Sequence, residues 1–349
     1  MTTTRLRMAR HKTSAPKMAD IARLAGVHVS TVSRALAGSP LVERRMRETI
    51  LGIAAKHGYV VNRAARNLRT SRTQTLSVVI PLAHERAQPL TDPFFTDMLG
   101  HLADEITRRG YGMYLEKILP PMDDWLPKLI ASRRSDGIIV IGQSTEQAAL
   151  ERAAATYAPL VVWGGHLAKQ HYCVVGTDNV GGARMATEHL LASGRRRIAF
   201  VGDPSIPEIR LRRQGYELAL KRAPRGHAPP HIIKAHMTPE AAHEAMSKFI
   251  DSGAKFDAVL AATDIIAISS MRAIAAAALR VPRDVAVVGF DDIAMAAHVH
   301  PSLTTVRQDT ARGASLLVDL LLRRIAGEDT TSVVLPPELI VRESSGGRP

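Results

Sequence analysis

The sequence predicts two fold classes in series: a small all-α module at the N-terminus and, after it, an α/β region of doubly wound parallel sheets in two lobes. Three observations point there. Apolar residues recur at three- and four-residue steps from residue 17 to about residue 59. From residue 76 onward, short β-branched runs alternate with amphipathic stretches, the pattern of parallel strands covered on both faces by helices. Roughly 270 residues of that alternation exceed what one sheet usually holds, so two similar lobes are expected.

Taken in order, residues 1–16 are polar, basic and aperiodic, and read as a flexible arm. Residues 17–60 fit three short helices, carried by Ile21, Leu24 and Ala25, then Val32, Ala35 and Leu36, then Ile50, Ile53 and Ala54. Residues 18–36 read as a helix-turn-helix: Ala25-Gly26-Val27 makes the tight turn, Gly26 supplies the left-handed backbone, and small Ala22 and Ala25 let the helices approach. The second helix exposes Val29, Ser30, Ser33 and Arg34 and turns Val32 and Leu36 inward. Residues 61–74, basic and rich in Asn, Arg, Ser and Thr, form a linker. Strands are expected at 76–81, 112–116, 137–141, 160–163, 172–175, 198–201, 231–234, 258–262 and 285–290, with helices such as 94–109, 182–193, 212–221 and 240–252 between them. Lobe 1 is expected at about 75–176 and 308–336, and lobe 2 at about 177–307 and 337–343.

With 46% hydrophobic and 23% charged residues in 349, disorder is not the default. The formal charge of +13 is unevenly placed: 15 of the 46 Lys and Arg but only three of the 33 Asp and Glu fall in residues 1–72. Clustered cations gain affinity for a polyanion by releasing its counterions, although a solubilising basic tail fits the charge alone equally well. No apolar run reaches the roughly 18 residues of a spanning helix, and residues 1–16 hold no apolar stretch for a signal segment. The single cysteine, Cys173, cannot form an internal disulfide, which fits a reducing cytoplasm. Catalytic signatures are missing. There is no P-loop, Gly142-Gln143-Ser144 lacks the second glycine of a nucleophile elbow, and His298-Val299-His300 has no partners for a metal. No enzyme activity, cofactor or metal is expected.

Several motifs in order then point to one family. The segments DIARLAGVHVSTVSRAL, HGYVVNRAARNL, DNVGGARMATEHLLASGRRRIAFVGDP, RRQGYELAL and VAVVGFDDIAMAAHVHPSLTTVRQD make the chain similar, from about Lys17 to Glu343, to the lactose-repressor (LacI) family of transcription regulators with a periplasmic-binding-protein-like sensor domain. The resemblance implies a homodimer that binds pseudo-palindromic double-stranded operator DNA at the nucleoid and is controlled by a small molecule, a sugar, held between the lobes. It places DNA contacts at Lys17, Val29, Ser30, Thr31, Ser33 and Arg34. Arg34 can pair bidentately with guanine, whereas Val29 offers only an apolar contact. In the linker it implies a hinge helix with Leu68 as a wedge in the minor groove, Ala64 and Ala65 packing between copies, and Asn62, Arg63, Arg66 and Arg69 at the backbone; a passive basic linker is the alternative. The family usually starts its three N-terminal helices with Ser or Thr, and Lys17, His28 and Glu43 stand there instead. Poorer caps and an N-terminal module completed by DNA are therefore expected, with Lys17 turned to a phosphate.

For the effector, the resemblance singles out Phe94 and Phe95 after Asp92-Pro93, one of them expected in the core, and Arg212 with Asp291, a fork and carboxylate suited to vicinal hydroxyls or else a structural ion pair. It adds Asp264 at the pocket edge, Glu208 where neutral side chains are common, and Met237 where an aromatic often stacks, for which Trp163 can substitute. Asp178 is expected to cap a helix. Two rivals remain: a sugar-binding transport component with an incidental basic N-terminus, and an enzyme with a DNA-binding appendage.

Overall fold

The computed structural model describes residues 16–36, 38–59, 72–82, 87–119, 124–223 and 227–347. The chain divides into two compact units, residues 1–72 and residues 73–349. The expected basic arm and the whole hinge, with Asn62, Arg63, Ala65, Arg66, Leu68 and Arg69, lie outside the described residues except for residues 16 and 72–74 at their ends.

In the first unit, α1 (Met18–Ala25), α2 (Val29–Leu36) and α3 (Arg44–Lys56) enclose a core of Ile21, Val32 and Ile50, all fully buried, with Ala22, Ala35 and Ala54 filling the crossings. Gly26 ends α1 at φ 65°. Its N–H donates to Arg23 O, and Val27 N–H donates to Ala22 O, so the αL turn satisfies carbonyls the helix leaves open. Of the three helix starts expected to be poorly capped, only that of α2 is capped by its own side chain. Asp20 Oδ2 reaches back to accept the Lys17 N–H at 2.9 Å, and His28 Nδ1 accepts the Ser30 N–H at 3.3 Å. The ring nitrogen does what a cap hydroxyl would do, whereas the Asp20 carboxylate serves only the N–H of Lys17 itself. α1 and α3 match the expectation, since neither Lys17 nor Glu43 makes a side-chain cap bond.

The second unit holds two six-stranded sheets. The first runs β11 (Val333–Leu335), β5 (Cys173–Thr177), β4 (Leu160–Trp163), β3 (Gly137–Ile141), β1 (Thr75–Pro81), β2 (Gly112–Ile118), and every pairing is parallel. The second runs β12 (Glu338–Ile340), β10 (Thr304–Arg307), β9 (Ala286–Asp291), β8 (Ala258–Ala261), β6 (Ile198–Val201), β7 (His231–Ile233), parallel except where β12 meets β10. The chain passes between the sheets three times: after β5, after β10 and between β11 and β12. Strands β10, β11 and β12 carry no apolar alternation in sequence. The two threonines that open β10 are fully buried because Thr304 and Thr305 hydrogen-bond Arg342, Ser345 and Asp264.

The helices that position the site are α4 (Pro93–Arg108), α5 (Trp125–Ser132), α6 (Gln147–Ala154), α7 (Asn179–Ala192), α8 (Pro207–Arg222), α9 (Pro239–Asp251), α10 (Asp264–Ala276) and α11 (Thr310–Ile325). Alternation along β1 sends Val78 and Ile80 to the core under α4 and α11 and Val79 to a second core that includes Trp125 and Leu126 of α5 and Leu150 and Ala153 of α6. Strands β3, β4, β5, β6, β8 and β9 are buried along their whole length, as their continuous apolar runs required, while the edge strand β2 leaves Met113 and Leu115 exposed.

Candidate functional site

On α2 the two faces separate cleanly. Val32 and Ala35 are buried, while Val29 (39% exposed), Ser30 and Arg34 stand out, and Thr31 and Ser33 are half-buried. Lys17 is exposed at the start of α1. Arg47 donates to Ser39 O at 2.7 Å and to Val42 O at 3.2 Å, tying the segment after α2 to α3. A rigid helix with a small, polar and cationic outer face is what a DNA major groove admits.

In the second unit the carboxyl ends of strands from both sheets open on one cleft of about 640 Å³, its mouth included. Such ends collect ligands in parallel sheets because loops and helix starts converge there. From the first sheet's side come Gln88, Asp92, Phe94, Phe95 and Trp163; from the second, Glu208, Arg212, Met237 and Asp291. The aromatic wall is layered: Phe94 is half-buried and stands 6.4 Å from Trp163, while Phe95 (7% exposed) and Trp163 (4%) belong mainly to the core. Asp92 caps α4, its Oδ1 accepting the Phe94 N–H at 3.0 Å and its Oδ2 the Gln88 amide at 3.0 Å.

Arg212 is 6% exposed and held from three sides. Nε donates to Asn179 Oδ1 at 2.8 Å, Nη1 donates to Ala262 O at 2.5 Å and stands 3.5 Å from Asp291, and the guanidinium lies 3.8 Å over the Phe290 ring. Asp291 ends β9 at φ 123°, a strained backbone for a residue with a side chain. Its Oδ1 accepts from the Gln308 amide at 2.7 Å, and the next residue, Asp292, is held by Arg307 and Arg342, each at 2.7 Å. Burial pushes the Asp291 carboxyl up to about 7 against the opposing pull of Arg212. Burial likewise raises Asp92 and Glu208 and lowers the Arg212 guanidinium, which Asp291 pulls back up.

One expected contact is corrected. Asp264 does not line the cleft; it is fully buried behind the wall, its Oδ1 accepting from Thr305 Oγ1 at 2.5 Å and its Oδ2 from the Ile293 N–H at 2.9 Å. It pins the loop that follows Asp291, and Thr263 takes the lining position beside it. Asp178 caps α7 by accepting the Gly181 N–H at 2.8 Å. Sequence reasoning passed over Gln88, Gln143, Asn179 and Gln308. Gln143 lies two residues beyond an expected strand, whereas Gln308 follows a strand that no pattern announced.

Two buried side-chain oxygens in the cleft wall, Gln88 Oε1 and Glu208 Oε2, have no hydrogen-bond partner among the described residues. Both are acceptors.

Comparison with known proteins follows the same division. Residues 17–62 match the family of bacterial regulatory proteins termed the lacI family, and residues 187–345 match the periplasmic binding protein-like domain. The HTH-type transcriptional regulator CelR of Thermobifida fusca is 32% identical over 335 residues, covering 94% of this chain and 98% of that protein. The ribose operon repressor of Haemophilus influenzae is 28% identical over 333 residues (94% and 98%), and the transcriptional repressor PurR of the same species is 26% identical over 341 (93% and 97%). Among solved structures, the lac repressor dimer bound to operator and the anti-inducer ONPF superposes with a TM-score of 0.83 at 24% identity, covering 95% of this chain and 99% of that one. A CelR–cellobiose complex gives 0.71 at 31% identity (94% and 99%).

Proposed function

This chain belongs to the lacI family of bacterial regulatory proteins, a DNA-binding transcription regulator of the helix-turn-helix type, and we propose that it is a homodimeric repressor whose effector is a carbohydrate held in the cleft of the second unit. The observation that carries the effector class is the pair of buried, unpartnered acceptors, Gln88 Oε1 and Glu208 Oε2. Buried polar atoms are seldom left without a partner, and a polyol brings several O–H donors into one small volume. Arg212 and Asp291 complement it with a donor fork and an acceptor, and Phe94 offers a ring face. The likeness to CelR, whose structure holds cellobiose, supports the same class.

On this reading α2 enters the major groove, Arg34 pairs with a guanine, Val29, Ser30, Thr31 and Ser33 meet neighbouring edges or backbone, and Lys17 meets a phosphate. Leu68 wedges the minor groove, with Asn62, Arg63, Ala65, Arg66 and Arg69 around it. Two copies match a pseudo-palindrome. The protein does its work at the chromosome in the cytoplasm and catalyses no reaction. No helix among the described residues is long and apolar enough to cross a membrane. The effector acts by binding the DNA-bound and free states with different affinity.

The test is selection of duplexes from a random library by the full-length chain. Anisotropy titrations of the selected duplex at two salt concentrations follow, with cellobiose, glucose, ribose or hypoxanthine added. A palindromic consensus, steep salt dependence and a shift in affinity caused by a sugar are expected. Salt-independent binding overturns the DNA reading, and a response to hypoxanthine alone overturns the carbohydrate.

A further inference from the structure

Glu208 does two things at once. It stands on α8 beside the second sheet, and its Oε1 accepts at 2.9 Å the backbone N–H of Gln143, which follows β3 of the first sheet. Its Oε2 is the unpartnered atom in the cleft wall. One oxygen therefore bridges the cleft while the other awaits what fills it. Among the described residues Asp92, Glu208 and Asp291 line the cleft together with Arg212, and Arg212 and Arg210 both favour the ionised form of Glu208 against its burial. The positive charge of Arg212 is already faced by Asp291 at 3.5 Å.

From this geometry we infer that Glu208 is the specificity-determining residue of the cleft: it accepts a hydroxyl of an uncharged sugar and rejects sugars that carry a carboxylate or a phosphate. This rests on the carbohydrate reading above and narrows it. A hydroxyl that donates to Oε2 completes a bond that no described residue makes. An anionic substituent in the same place leaves Oε2 without a donor and sets two like charges together where water is scarce. Because burial holds the Glu208 carboxyl above the ordinary range, more of it is ionised as pH rises, so the rejection strengthens toward alkaline pH and relaxes toward acid.

The experiment is calorimetric titration of the full-length chain with glucose, cellobiose, glucuronate and glucose 6-phosphate, for the wild type, Glu208→Asp and Glu208→Gln. The wild type is expected to bind a neutral probe at least about tenfold more tightly than an acidic one, with the ratio widening as pH rises. Glu208→Asp keeps the charge and the ratio, whatever happens to affinity. Glu208→Gln keeps the shape, narrows the ratio by about tenfold and weakens its pH dependence, with Asp291 and Asp92 left to titrate in the same cleft. Equal binding of glucose and glucuronate by the wild type overturns the inference alone, as does an unchanged ratio in the glutamine variant. Failure to bind any of the four sugars, by protein that still binds its selected duplex, overturns the carbohydrate reading and the inference with it. Should the glutamine variant not fold, Glu208→Ser removes the charge in its place, and an unchanged ratio in that variant overturns the inference.

Discussion

Replacing Arg212 by Met removes the cleft's cation while keeping most of its apolar stem, and the cost can be worked at two pH values. In the native protein Asp291 has a carboxyl raised by burial from the ordinary 3.8 to about 7, with Arg212 opposing the rise. A group raised on folding favours the folded state below its ordinary value, and that contribution is lost as pH rises through the folded value. At about pH 5.5 Asp291 is therefore protonated in the folded state of both proteins. The variant then loses mainly the bonds to Asn179 and Ala262, which leaves two buried acceptors unpaired. That is about 2 kcal/mol, kept low because the desolvation of the guanidinium is relieved as well. At about pH 8.5 the wild type holds an ionised, paired Asp291, whereas the variant must keep it protonated. The extra cost is about 1.5 pH units at about 1.4 kcal/mol each, or about 2 kcal/mol more. The total of about 4 kcal/mol agrees with what breaking a buried ion pair from one side usually costs. Urea unfolding followed by tryptophan fluorescence measures it, because both tryptophans, Trp125 and Trp163, lie in the second unit. An equal loss at both pH values, or a larger loss at the acid one, would refute the reasoning.

Arg34→Ala should weaken binding to the selected duplex by about 1–3 kcal/mol and leave nonspecific binding nearly intact; an unchanged Kd in anisotropy titrations removes Arg34 as a base reader. A methyl placed on Gly313 would overlap the Trp163 ring, so Gly313→Ala should destabilise the second unit by about 1–3 kcal/mol and shift Trp163 emission. A spectrum like that of the wild type counts against that packing. Gly26→Ala meets nothing within 4 Å of the added methyl, so its cost is the left-handed backbone alone, about 1–2 kcal/mol in the melting of the first unit. A much larger loss in a thermal melt would mean that the turn is crowded.

What could be read from sequence and what could not divide along physical lines. Strands β3, β4 and β6 end where their apolar runs end, because a strand buried on both faces must be apolar throughout. β10 escaped notice because its polar residues are buried by bonds to partners some 40 residues away, Arg342 and Ser345 among them. His28, like Lys17, looked like a poor cap by residue type, and only Lys17 is one. The His28 ring nitrogen accepts the Ser30 N–H, which a rule written for serine and threonine misses, while Asp20 serves only the N–H of Lys17. Seven of the eight expected effector residues line the cleft, and the eighth, Asp264, stands behind it holding a loop.

The sequence by itself determined the two fold classes, the segregation of positive charge into the first 72 residues and the exposed face of α2, because helical period, strand alternation and charge count are properties of residues near one another in the chain. Tertiary structure alone decided that Gln143 and Glu208, 65 residues apart, meet across the cleft, that Asp291 is pushed toward neutrality, and that Gln88 Oε1 and Glu208 Oε2 find no donor among the described residues. Distance and burial between remote segments set hydration, and hydration sets what a carboxylate costs and what it will accept.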